Sequence, residues 1–97
     1  MTIEEIKEKI IPIAEEYGVP KVALFGSTAN GTNTDTSDID ILIERGTKMK
    51  GFAFGGFCNK LEEALGKEID VLTYFGIRNS ILKESILAKE VVIYEKR

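Results

Sequence analysis

Histidine is absent from this 97-residue sequence, and Cys58 is its single cysteine. A disulfide within the chain is thereby excluded, and so is a zinc site of the Cys/His kind. Any metal the chain holds must be held by oxygen. Long apolar runs are also missing: no stretch approaches the ~20 residues of a membrane-spanning helix. Positive charge is scarce, with thirteen Lys and Arg against sixteen Asp and Glu, a formal net charge of -3. That balance lacks the broad positive field that drives nucleic-acid binding, so direct binding of DNA or RNA is not expected. The segment from Met1 to Glu8 alternates acids and lysines and offers neither the basic nor the apolar part of a secretory signal. A cytoplasmic location is the expectation that follows.

What remains is an ordinary soluble composition, 43% hydrophobic and 30% charged, in a chain long enough for one core. The periodicity orders it. Thr2 with Glu5 has the form of a capping box, and Ile3, Ile6, Ile10 and Ile13 then recur at helical spacing as far as Tyr17. Pro12 lies inside this pattern and is expected to kink or shorten the helix, with Gly18 and Pro20 as its stop. Lys21 to Phe25 reads as a short strand buried on both faces, and residues 27–37 as a polar loop with room for one helical turn. Asp38 to Ile43 reads as a second strand, and Phe54, Phe57, Leu61, Ala64 and Leu65 mark a helix ending at Gly66. Ile69 to Thr73 is a third strand. Ile77, Ile81, Leu82 and Ile86 suggest one further helix, and Val91 to Tyr94 a last strand. Together these predict an α/β fold over residues 2–95, a single domain in which a small mixed β-sheet is packed with helices.

The chemistry is carried by aspartates. A period of two places Ile39, Ile41 and Ile43 on one face of the second strand and Asp38 and Asp40 on the other, about 7 Å apart along the backbone. Two carboxylates so placed can converge on Mg2+, a hard cation that takes oxygen ligands and keeps positions for substrate phosphates. Asp70, on another strand, could complete a two-metal site if that strand is a neighbour. Such a site lets a hydroxyl attack the α-phosphate of a nucleoside triphosphate while pyrophosphate leaves. The turn Phe25-Gly26-Ser27 suits the phosphates, since glycine lets the backbone approach and serine offers a hydroxyl and an N–H. A short helix starting at Ser27 and ending at Gly31 would favour the triphosphate further. Blander readings stand beside these. A lone Asp-Ile-Asp is commonly a solvated strand face, and Asp70 alone suits an edge strand that must discourage aggregation. Cys58 reads as packing beside Phe57 and Leu61. Lys48, Lys50 and Arg78 are cations that could approach a triphosphate, but scattered cations of this kind are usually solvated.

Leu24-Phe25-Gly26-Ser27, ten residues, then Asp38-Ile39-Asp40 resembles the signature of the DNA polymerase β-type nucleotidyltransferase superfamily. With the opening helix, the small size and the later Glu68-Ile69-Asp70-Val71-Leu72, nearly the whole chain is similar to the minimal nucleotidyltransferases, or MNT proteins, which are little more than the catalytic palm. The resemblance implies a polymerase β-like palm in which Gly26 and Ser27 contact ATP and Asp38, Asp40 and Asp70 bind Mg2+. It further implies a helical HEPN-type partner, a toxin that the MNT protein counteracts by transferring AMP from ATP to a hydroxyl, with tyrosine the expected acceptor. Assembly into a homo-oligomer stays open. One departure bears on activity: where the family commonly has Gly-Ser-Arg-Ala-Arg-Gly, this chain has Gly26-Ser27-Thr28-Ala29-Asn30-Gly31. Two charge-assisted phosphate contacts are thereby lost. A second reading takes that loss, with the Phe-rich helix, to mean a catalytically weak binding module that neutralises its partner by contact.

Overall fold

Thr2 and Glu5 close the capping box: the Glu5 N–H donates to Thr2 Oγ1 at 3.2 Å and the Thr2 N–H to Glu5 Oε1 at 3.1 Å. This starts α1, Ile3–Tyr17, in a computed structural model that describes residues 1–32, 34, 37–46 and 49–96. The helix continues through Pro12 to Tyr17, so the expected shortening does not occur. Pro12 sits on the exposed side, where water can serve the carbonyl that the missing N–H leaves free. Ile6, Ile10 and Ala14 form the buried stripe, and Gly18 ends the helix in the left-handed conformation (φ 68°).

The chain then runs through β1 (Lys21–Leu24), α2 (Gly26–Asn30), β2 (Ile39–Glu44), α3 (Phe52–Leu65), β3 (Ile69–Thr73), α4 (Tyr74–Ile77), α5 (Lys83–Ala88) and β4 (Val91–Glu95). The sheet order is β3-β2-β1-β4. β2 and β3 are parallel, with α3 in the crossover between them, whereas β1 pairs antiparallel with both β2 and β4. The small mixed sheet packed with helices is therefore as the pattern predicted. β2 begins at Ile39, one residue later than expected, and leaves Asp38 just ahead of it.

The sheet's two faces are unequal. Val22, Leu24, Ile39, Ile41 and Ile43 point toward α1 and α3 into one large apolar cluster, where Phe57, Leu61 and Met49 are also buried. Phe57 meets Tyr17 edge-on, ring centroids 5.6 Å apart, and locks α3 to α1. The opposite face carries a smaller cluster built on Ala23, Phe25, Leu42 and Ile77, with Leu72, Tyr74, Ile86 and Leu87 partly buried against it. Here the single expected helix over Ile77 to Ile86 is two short ones. Thr73 caps α4 by accepting the Gly76 N–H at 2.9 Å, and Ser80 Oγ takes the Leu82 N–H at 3.1 Å. Side-chain bonds of this kind compete with a continuous helix. Ile77 and Ile86 still reach the core, but Ile81 is 98% exposed.

Candidate active site

β1 delivers Phe25 to the end of the sheet, and the Phe25 N–H donates to the Asp40 carbonyl at 3.2 Å, which joins the turn to β2. Gly26 follows with φ +57°, and a Cβ there would lie 3.0 Å from Asp40 Oδ2. Glycine is required twice over, for the left-handed backbone and for the close approach. The next two residues both reach the same carboxylate oxygen. Ser27 Oγ donates to Asp40 Oδ2 at 3.3 Å, and Thr28 Oγ1 donates to it at 3.2 Å. α2 starts at Gly26, one residue before the Ser27 start that the sequence suggests, and ends at Gly31 (φ 72°) as expected.

Asp40 and Asp70 are direct partners in the parallel β2–β3 register, so their side chains leave the same face of the sheet on adjacent strands. Asp38 stands two residues before Asp40 and on that side by alternation, while the Ile39 N–H bonds to the Glu68 carbonyl at 3.1 Å and keeps the strands paired there. Asp38 and Asp70 are exposed and Asp40 is half-buried. The backbone thus gathers the three aspartates at one end of one face. Their carboxylates are not gathered: among the described residues no three His, Cys, Asp or Glu side chains stand close enough to hold a metal ion. Asp40 is instead engaged by the hydroxyls of Ser27 and Thr28. The donor set, carboxylate and hydroxyl oxygens without nitrogen or sulfur, fits Mg2+. β3 is an edge strand, so Asp70 also meets the simpler expectation of an edge charge.

Among the described residues, two hollows adjoining the sheet bear on the site. The larger, about 600 Å³, opens at the far ends of β2 and β3 between Glu44, Arg45, Met49, Lys50, Thr73 and Tyr74, away from the aspartates. A smaller one of about 190 Å³ is bounded by Phe25, Gly26, Asn30, Ser85, Ile86 and Lys89. Size favours the first, but the second borders the Gly26 turn, and it is the better candidate for a phosphate-bearing ligand.

Residues 8–97 match the family described as Polymerase beta, Nucleotidyltransferase. The chain belongs to that family. A relative from Methanocaldococcus jannaschii, named as a putative protein adenylyltransferase, is 47% identical over 91 residues, covering 94% of this chain and 97% of its own. Among solved structures, one described as a putative minimal nucleotidyltransferase superposes with a TM-score of 0.79 at 24% identity, covering 94% of this chain and 95% of that one. A chain from the complex of a tri-AMPylated Shewanella oneidensis HEPN toxin with an MNT antitoxin superposes at 0.69 with 19% identity, covering 96% and 72%. At these identities the two structures speak to the fold.

In this member of the nucleotidyltransferase family, two of the cations that the sequence offers are engaged away from the Gly26 turn. Lys50 lies on the distant hollow and Arg78 stacks on Phe75 at 3.9 Å; Lys48 lies outside the described residues. The cation that does border the Gly26 hollow, Lys89, was not singled out by the sequence, since nothing local marks a lysine at the end of a short helix as facing a turn some sixty positions earlier. Thr28, which the sequence marks only by the arginine it replaces, joins Ser27 on the Asp40 carboxylate, and a hydroxyl directly after Gly-Ser is the local signal for that contact. Cys58 is half-buried, and burial followed by the Glu62 charge pushes its thiol above the ordinary value, which suits packing and opposes reactivity.

Proposed function

We propose that the chain is a protein adenylyltransferase that acts, in the cytoplasm, as the antitoxin of a helical HEPN-type toxin, moving AMP from ATP to a hydroxyl of that partner, with tyrosine as the acceptor. Residues 2–95 form the one domain that carries this activity. The observation that supports the reading most is the side-by-side register of Asp40 and Asp70 beside the Gly26-Ser27 turn. The names of the relatives point the same way.

In this reading Asp38, Asp40 and Asp70 hold Mg2+, which when bound supplies charge neutralisation to the triphosphate. Gly26 admits the phosphates to the backbone, and Ser27 offers them its N–H, joined by its hydroxyl when that proton turns from Asp40 Oδ2 to a phosphate oxygen. The acceptor oxygen bonds to the α-phosphorus, the bond from that phosphorus to the bridging oxygen of the β-phosphate breaks, pyrophosphate leaves, and the hydroxyl proton passes to solvent. The partner brings the acceptor and much of its own recognition, since a domain this small has little surface for selecting one.

Labelled ATP, Mg2+ and the partner should label the partner, and Asp38→Ala with Asp40→Ala should lower the label by more than about 100-fold. Undiminished label in the double variant defeats the proposal. The replacement of two family arginines by Thr28 and Asn30 favours the contact-only alternative, which requires that the double variant still neutralise the toxin.

A further inference from the structure

Thr28 is 1% exposed and is the one buried polar side chain among the described residues. Both capacities of its hydroxyl are spent on a single residue: Oγ1 accepts the Asp40 N–H at 2.9 Å and donates to Asp40 Oδ2 at 3.2 Å. Thr28 lies twelve positions earlier in the chain, so these bonds tie α2 to β2. Ser27 adds a second donor to Oδ2, and the bare Cα of Gly26 leaves that oxygen room. Oδ2 is therefore hemmed by three consecutive residues, whereas no side chain among the described residues bonds to Oδ1.

A carboxylate at the end of a strand has a freely turning χ2 and costs rotamer entropy to hold. A hydroxyl that grips its main chain and its carboxylate at once removes that freedom. We propose that Thr28 is a positioning residue for nucleotidyl transfer: it clamps Asp40 so that Oδ1 is the oxygen presented to the cation and the nucleotide. This rests on the proposed function. Partners that orient metal-binding side chains are typically worth 10–100-fold in metal affinity or activity.

The test compares Thr28→Val, which keeps the shape and removes the hydroxyl, with Thr28→Ser, which keeps the hydroxyl. Three readouts are needed: kcat and KM for ATP in transfer to the partner, Mn2+ binding to the chain in the presence of ATP by calorimetry, and folding by circular dichroism. For Thr28→Val, kcat and Mn2+ affinity should each fall on the order of 10-fold or more while KM for ATP moves by less than about three-fold, and Thr28→Ser should restore both. Wild-type behaviour in Thr28→Val overturns the proposal, as does equal loss in Thr28→Ser. A Thr28→Val chain that does not fold would make Thr28 a folding residue and overturns it too. If the wild-type chain transfers no AMP, the functional reading fails, yet the Mn2+ comparison still decides the role of Thr28. Absence of Mn2+ binding by the wild-type chain overturns both.

Discussion

The two faces of the sheet divide the work. Against α1 and α3 the sheet is sealed: Ile39, Ile41 and Ile43 are fully buried, Phe57 and Leu61 are equally so, and the cluster runs from Ile6 to Ile93. Against α4 and α5 the cover is thin, α5 has no fully buried residue, and Ile81, Leu82 and Phe75 are exposed. The aspartates lie on the thinly covered face. A carboxylate cluster needs water, cation and substrate to reach it, and burial without a partner is costly, so stability is concentrated on the face that carries no chemistry.

The sharpest way to break that contrast is Phe57→Ala. Truncating a buried phenylalanine costs about 3–5 kcal/mol, a large share of the ~5–15 kcal/mol that a domain commonly has, and urea titration should show a chain largely unfolded or close to it. Ile77→Ala on the opposite face should cost less, about 2 kcal/mol, because a thin cluster can relax into the space. Equal losses would mean that the two faces share stability evenly.

Tyr74→Phe comes next. Tyr74 donates to Glu90 Oε2 at 2.7 Å and so ties the start of α4 to the approach to β4. Its loss should cost about 1 kcal/mol. Burial first, then the bond to Glu90, pushes the Tyr74 phenol above its ordinary value. Because the folded value is the higher one, this stabilisation is complete below the unfolded pKa of about 10 and is lost as pH rises beyond it toward the folded value. In alkaline thermal melts Tyr74→Phe should therefore flatten the decline. The smallest effect belongs to Ile81→Ser. At 98% exposure its removal should change stability by no more than about 0.5 kcal/mol, and a larger loss in urea titration would show that α4 and α5 pack more closely than their exposure suggests.

Much of this arrangement was legible in the sequence, for reasons that differ by region. The capping box at Thr2 and the glycine stops at Gly18, Gly31 and Gly66 are local chemistry, and each appears where the residues called for it. Ile39, Ile41 and Ile43 could be assigned to the core because a period of two admits one partition. Pro12 does not shorten α1, because the cost of a proline depends on whether the freed carbonyl meets water, which is a tertiary property. The split between α4 and α5 was hidden because Ile81 and Leu82 fit a helical pattern as well as Ile77 and Ile86 do, and only packing separates them. At the site, the Gly26-Ser27 turn and the strand that carries Asp40 were readable from spacing. The neighbour relation of Asp70 depended on strand order, and the grip of Thr28 on Asp40 depended on a contact between elements, so neither was available from periodicity.

The parallel register of β2 with β3 also limits how this chain can change length. Asp40 faces Asp70, with Ile39 opposite Ile69 and Ile41 opposite Val71. Deleting one residue from the 66–68 turn would slide β3 by one position and reverse its faces. An acid would then point into the sealed core around Phe57, and Ile69 or Val71 would stand beside Asp40. A single deletion there would harm core and site together, whereas a longer turn can bulge outward, so the least length of that turn is coupled to the fate of the site.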